Sequence, residues 1–350
     1  MKDKIIVIAF LLIIFSLGIL QFCIKDQELS KIERRRLTTM KDVYEDFPNN
    51  LENYLSDQIP LRESFLKLNQ IWNRSILRNK EHNNLYIQDD FLIEKLYPLN
   101  ESSKNHFIKK INDITSKYLS GSNCFFALIP DKSFFLNDPI SLKINHEKLM
   151  NDLEATLEIP FINTKNTFTL TDYFKTDIHL KQEAYFKFLP LLQKSFHLED
   201  LEVSYTEKNV SNFKGSSFYK APYSSLEDLT FYESDITKNA IVSHLEYQNN
   251  LIYEEMEEDT LDMYNIFLNG PSSLINITNP AATNEKELIL FRDSFASSLA
   301  PLLLPFYKKI TLIDLRYIKM DYVANLVDFQ NKDVLFIYSP LIINNSSILK

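Results

Sequence analysis

Two short stretches of this 350-residue chain carry side chains whose types and spacing suit acyl-transfer chemistry. The first is Leu288-Ile289-Leu290-Phe291-Arg292-Asp293-Ser294-Phe295, a continuous apolar run that ends in a polar turn with a serine. In parallel α/β sheets, ligands bind beyond the carboxyl ends of the strands, so Ser294 stands where a nucleophile would be placed. The helix-like stretch that follows would turn backbone N–H groups toward an oxyanion. Taken alone, such a serine is more often a helix cap. The second stretch is Thr176-Asp177-Ile178-His179. A serine hydroxyl is a weak nucleophile until a base takes its proton, and the base in turn needs an orienting carboxylate. Asp and His two residues apart cannot share a helix face, but they converge in an extended or turn segment. A D-x-H triplet by itself is a frequent coincidence.

The other five histidines, His82, His106, His146, His197 and His244, lack this arrangement. No HExxH, CxxC, Asp-rich loop or phosphate-binding glycine loop occurs, so neither a metal nor a cofactor is expected.

The elements that must position these residues are legible as apolar runs. Cys124 to Ile129, Leu288 to Phe291, Ile310 to Ile313 and Val334 to Tyr338 read as buried strands separated by helix-length segments. That spacing predicts an α/β fold with a parallel sheet and crossover helices. Phe107, Ile111, Ile114 and Tyr118 form one helical face, with Gly121 where the helix would stop. Lys181 to Phe186 looks helical, and Pro301 and Pro305 require a short, late or kinked helix after Ser294. Leu85-Tyr86-Ile87 and Phe91-Leu92-Ile93 flank Gln88-Asp89-Asp90, the pattern of a hairpin. Leu61, Phe65, Leu68, Trp72 and Ile76 make an amphipathic stripe whose default explanation is core packing. Residues from about 200 to 260, with Glu254, Glu255, Glu257, Glu258 and Asp259, read as an acidic insertion or surface elaboration.

The N-terminus is apolar from Ile5 to Cys23, and 19 residues at about 1.5 Å each reach roughly 28 Å, enough to cross a bilayer. Lys2 and Lys4 precede this run, and no small-x-small cleavage site follows, so a retained signal anchor is expected. Leu20-Gln21-Phe22-Cys23 is a weak match to a lipid-attachment site. Lys25, Lys31 and Arg34 to Arg36 count against an N-inside orientation, which is preferred because a large domain follows a signal-like segment. The expected organisation is a cytoplasmic tip at 1–4, a transmembrane anchor at 5–23, a lead-in at 24–95 and a catalytic domain at 96–350. The catalytic domain would face the extracytoplasmic side of the cell membrane. The 38 basic and 47 acidic residues give a net charge of −9, a poor balance for phosphate-backbone binding, so no nucleic-acid partner is expected. The basic cluster is read as juxtamembrane attraction to anionic lipid. The two cysteines imply no disulfide framework.

Both chemical stretches, in this order, resemble the DHHW branch of the SGNH hydrolase superfamily, related to bacterial alginate O-acetyltransferases. The likeness also takes in Ile32 to Leu37, Leu51 to Arg62, Ala127-Leu128-Ile129-Pro130-Asp131-Lys132 and Thr311 to Tyr317. It implies an SGNH-like, flavodoxin-like fold in permuted motif order, with Ser294 as acyl acceptor, His179 as base and then acid, and Asp177 as orienting carboxylate. Ile178 and Leu180 stand where the name motif has histidine and tryptophan, which leaves the acceptor open. Asn269 and Gly270 are candidates for the second oxyanion donor, with a turn glycine as the competing explanation. Arg292 stands where many SGNH enzymes have glycine. Arg316 could contact an acyl or sugar group, although an ion pair with Asp314 is the preferred reading. The resemblance implies O-acylation, with acetyl the expected group, of a cell-envelope or secreted polysaccharide, fed by a multi-pass membrane acyltransferase. An esterase and a non-catalytic scaffold subunit are the alternatives.

Overall fold

The computed structural model describes every residue except 1, 31, 34, 73–80, 83, 221–225, 249, 257–259 and 261. Lys31 and Arg34 of the basic cluster, Ile76 of the stripe, and Glu257, Glu258 and Asp259 of the acidic run therefore lie outside the described residues. The chain forms two compact units, one of residues 1–83 with 217–224, the other of residues 84–216 with 225–350.

The larger unit opens with the hairpin β1 (Leu85–Gln88) and β2 (Phe91–Glu94), paired antiparallel. Its turn residues Asp89 and Asp90 both have positive φ, which acidic turn residues tolerate better than β-branched ones. The main sheet has seven strands: β3 (Asn123–Leu128), β4 (Phe161–Ile162), β7 (Ile241–His244), β8 (Leu274–Thr278), β9 (Glu287–Arg292), β10 (Lys309–Ile313) and β11 (Asp333–Tyr338). Between β4 and β7 the chain forms a separate ribbon of β5 (Thr206–Phe213) and β6 (Glu227–Glu233). The sheet order is β7-β8-β10-β9-β11-β3-β4.

From β10 to β4 the pairing is parallel, whereas β7 and β8 join antiparallel. The expected parallel sheet is therefore a mixed one with an antiparallel edge. Counted from β9, the five parallel strands lie in the order 2-1-3-4-5, the flavodoxin-like order, with the chain's own start moved to the fourth of them. The carboxyl end of β9 is thus at the switch point between its two neighbours β10 and β11, where this architecture opens a crevice.

Continuous apolar runs suit these strands because both sheet faces are covered. Leu288, Leu290, Leu335 and Ile337 point into one buried cluster, and Ile289, Phe291, Val334 and Phe336 into the other. The second face is closed by α5 (Glu101–Tyr118) and α6 (His146–Thr156), through Phe107, Ile111, Leu149 and Leu153. The first is closed by α7 (Leu189–Phe196) and α8 (Ala296–Leu303). Pro301 lies inside α8, which is only 8 residues long, as the prolines require.

The smaller unit contains α1 (Lys2–Cys23), α2 (Met40–Glu45), α3 (Leu51–Asp57) and α4 (Arg62–Ile71). Gln21 is buried and its side-chain amide donates to the Tyr54 and Leu55 carbonyls, tying the end of α1 to α3. Among the described residues no helix is long and apolar enough to cross a membrane, so the anticipated transmembrane helix is not supported by the fold. A second expectation is corrected outright. Leu61, Phe65, Leu68 and Trp72 are all exposed and do not pack into a core.

Phe336 is fully buried on the strand beside β9, its ring stacked on Phe291 with centroids 4.5 Å apart. Phe336→Ala should lower unfolding stability by about 3–5 kcal/mol through lost burial and an unfilled cavity. Chemical denaturation at constant m-value checks this, and a change below about 1 kcal/mol would show that the two faces are not packed as described.

Candidate active site

Ser294 leaves β9 through a turn built by Asp293. One Asp293 carboxylate oxygen accepts the Phe295 N–H at 3.0 Å, and the other accepts the Ser339 N–H at 2.8 Å, just past β11. The turn is thereby pinned to the neighbouring strand, and α8 begins at once. The Tyr185 hydroxyl donates to the Phe295 carbonyl at 2.7 Å and fixes the same turn from the opposite side.

The D-x-H triplet sits in a closed loop between Tyr173 and Leu180, which pair as an isolated antiparallel bridge. Phe174 N–H donates to the His179 carbonyl at 3.1 Å. Inside the loop one Asp177 oxygen accepts both the His179 backbone N–H at 3.0 Å and the ring Nδ1–H at 2.5 Å. This is the turn geometry that short acidic side chains favour, and it orients the ring as it closes the turn. On the far side of the ring, His179 Nε2 lies 2.7 Å from Ser294 Oγ. The structure thus brings Asp177, His179 and Ser294 into one hydrogen-bonded chain.

Asp177 is 1% exposed. Burial alone would raise its pKa. The charge and hydrogen bond of His179, with the N–H groups of Ser216 and His179, outweigh it and hold the carboxyl well below the usual carboxylate range. The carboxylate therefore stays charged and acceptor-only, so Nδ1 must carry the proton while Nε2 faces the serine.

Four further groups hold this loop, of which the sequence pointed only to Lys132, and to no role for it. The Ser216 N–H donates to the second Asp177 oxygen at 2.6 Å. Its neighbour Gly215 comes so close that a Cβ there would lie 2.4 Å from the Thr176 carbonyl carbon and 2.5 Å from the Asp177 backbone nitrogen. Glu227 on β6 accepts the Lys175 and Thr176 N–H groups, each at 3.0 Å. Lys132 is buried, and its ammonium donates to the Phe174 and Lys175 carbonyls at 3.1 and 3.2 Å. Burial pulls its pKa down to about 8. The segment expected to be surface elaboration therefore supplies Gly215, Ser216 and Glu227 to the site.

Tyr264 is the remaining surprise. Its ring lies 3.7 Å from the His179 ring with an interplanar angle of 4°, and its hydroxyl pairs with Ser298 Oγ on α8 at 2.7 Å. Phe295 approaches His179 at 4.9 Å and a 57° tilt. The imidazole is thus fixed in the plane that serves both of its hydrogen bonds. No residue pattern in the sequence pointed to Tyr264, which lies 85 positions from His179 along the chain.

The other candidates are placed differently. Arg292 is 1% exposed. It donates through Nη1 to Ser297 Oγ at 3.2 Å and stands 4.0 Å from Asp314. Its Nε and Nη2 have no hydrogen-bond partner among the described residues. Arg316 makes a two-pronged pair with Asp314, with contacts of 2.9 and 2.6 Å. Leu268, Asn269 and Gly270 all have positive φ, and the Tyr247 hydroxyl donates to the Asn269 carbonyl at 3.3 Å. Among the described residues, neither Asn269 nor Gly270 hydrogen-bonds to the triad. A cleft lined by Lys95, Leu96, Ile178, Phe295, Ser339 and Leu341 includes the chain neighbours of His179 and Ser294, but none of the three triad residues lines it.

Gly215→Ala should displace the Asp177 loop and cut turnover of an activated acyl ester by at least about tenfold, because an ångström of misplacement is costly in such sites. Wild-type turnover in a folded variant would contradict the close approach. For Tyr264→Leu we expect kcat to fall about tenfold, in the range typical of a misaligned general base, with KM little changed, and Tyr264→Phe to retain most activity. Equal loss in both variants would assign the effect to the hydroxyl and not to the stacked ring.

No protein-family model and no curated protein matches the chain. Solved structures do. A DHHW family protein from Eubacterium siraeum aligns with TM-score 0.63 at 15% identity, over 77% of this chain and 94% of that one. PatB1 of Bacillus cereus aligns with TM-score 0.60 at 22% identity, over 74% and 96%. PatB1 with a sulfonyl adduct gives 0.59 at 20% identity, over 74% and 97%. The chain therefore shares its fold with a DHHW family protein and with PatB1.

Proposed function

We propose that the chain is a serine-dependent O-acyltransferase that acetylates a cell-envelope or secreted polysaccharide. The observation that carries this reading is the 2.7 Å approach of His179 Nε2 to Ser294 Oγ, backed by Asp177 at 2.5 Å. In the first half-reaction His179 takes the Ser294 proton as Oγ attacks the acyl carbonyl, and the imidazolium returns that proton to the departing group. In the second, His179 deprotonates a sugar hydroxyl, which attacks the acyl-serine and releases Ser294 with its proton restored. The Ser294 N–H at the start of α8 is our choice for the first oxyanion donor. The sulfonyl adduct of PatB1 supports a nucleophile in this fold that sulfonyl reagents can trap.

Hydrolysis differs only in the acceptor, and sugar transfer requires the cleft to favour a sugar hydroxyl over water. The cleft beside Ile178 and Phe295 offers apolar walls with polar groups at intervals, the combination that suits a sugar ring. The closed triad geometry favours catalysis over a scaffold role. We place the enzyme outside the cytoplasm, held at the cell membrane through residues 5–23 and supplied by a multi-pass acyltransferase. This part of the proposal rests on the apolar run and the exposed apolar side chains of α1.

Ser294→Ala should abolish hydrolysis of nitrophenyl acetate, by at least about a thousandfold, and block labelling by a sulfonyl fluoride, with the fold intact by circular dichroism. Full residual activity would refute the serine mechanism. Incubation with an acetyl donor and an oligosaccharide acceptor separates transferase from esterase by product.

A further inference from the structure

Among the described residues, nothing covers the amphipathic stripe on α4. Leu61, Phe65, Leu68 and Trp72 are 68%, 51%, 59% and 55% exposed. Phe65, Leu68 and Trp72, spaced three and four residues apart, fall on one narrow face at about 100° per residue, and Leu61 caps the helix just before it in the left-handed region. Lys67 projects away from it. Soluble proteins rarely leave aromatic and branched side chains contiguous and uncovered, so something covers this face.

The page says what. In the same compact unit, α1 presents Ile5, Phe10, Phe15, Ile19 and Phe22 to the outside, all strongly exposed. The carboxyl end of α1 and the start of α4 line one hollow, through Gln21, Ile24, Pro60, Leu61 and Arg62. The end of α1 is fixed there by the Gln21 bonds to α3. An apolar helix inserted in a bilayer would therefore bring the first turn of α4 to the bilayer surface. A short helix with Leu, Phe and Trp on one face and Arg62, Glu63 and Lys67 elsewhere has the make-up of an interfacial helix, and Trp concentrates at headgroup depth.

We infer that α4 lies on the bilayer surface with Leu61, Phe65, Leu68 and Trp72 buried among the lipid headgroups and upper acyl chains. This rests on the reading of α1 as membrane-inserted. The consequence is mechanical. The lead-in to the catalytic unit is held against the membrane plane by two attachments, one inserted and one lying flat.

Trp72 is the only tryptophan in the chain, so its emission reports on this face alone. The full-length protein is reconstituted in phosphatidylcholine vesicles with and without lipids brominated near the headgroup. We expect blue-shifted Trp72 emission that the brominated lipid quenches. F65E/L68E should lose both the shift and the quenching, while K67E keeps them. Carbonate extraction, run in parallel, reads α1 separately: retention of all variants in the membrane shows that α1 holds. Blue-shifted emission without bromine quenching would overturn the inference in favour of a protein partner. Red, unquenched emission would overturn it in favour of an open surface. Release by carbonate together with loss of quenching would overturn both readings, whereas release with quenching intact would refute insertion of α1 alone and leave the stripe on lipid.

Discussion

The site depends on one buried charge. Asp177 sits at 1% exposure in a loop of eight residues, and a carboxylate so placed is tolerable only if both of its oxygens are hydrogen-bonded. The loop is folded to meet that need. The His179 N–H, the His179 ring and the Ser216 N–H all point at the carboxylate, and Gly215 carries no Cβ because the Thr176–Asp177 backbone occupies that space. Glu227 and Lys132 then satisfy the loop's own N–H and C=O groups from opposite sides. The imidazole is positioned as a by-product of satisfying the acid behind it. Its two ring nitrogens acquire fixed and different tasks, since the one facing a permanent carboxylate must keep its proton.

Ser294 is held by an analogous but separate device. Asp293 ties the turn after β9 to the chain after β11, and Tyr185 clamps the following carbonyl. The two devices meet at the switch point of the sheet, across a gap bridged by the His179–Ser294 contact and by Tyr264, which stacks on His179 and bonds to Ser298 on α8. Arg292 belongs to this framework. Its burial and its bond to Ser297 tie it to the turn that carries Ser294.

The legible parts of the fold were those governed by local pattern. The runs ending at Phe291 and Tyr338 read as strands because both sheet faces demand apolar residues, and Pro301 foretold a short helix. The D-x-H turn was legible only beside the other stretches of the resemblance, since the triplet by itself is a frequent coincidence. Gly215, Glu227 and Tyr264 were not, since each acts across a long sequence separation on a backbone group or a ring face and leaves no periodic mark. The strands β7 and β8 leave no such mark for a related reason. They add antiparallel to an edge, so they need no continuous apolar run, and Leu274-Ile275-Asn276-Ile277-Thr278 carries polar residues at two positions. The α4 stripe misled because helical periodicity says that a face is covered without saying by what.

The central claim is that Ser294 carries the acyl group between donor and acceptor. Rapid acid quench after mixing with an activated acetyl donor, followed by peptide mass spectrometry, tests it most directly. The triad geometry predicts one acetyl group, on the peptide containing Ser294, formed within the first turnover and removed when an oligosaccharide acceptor is added. Acyl transfer that proceeds with Ser294 unmodified at every time point would contradict it.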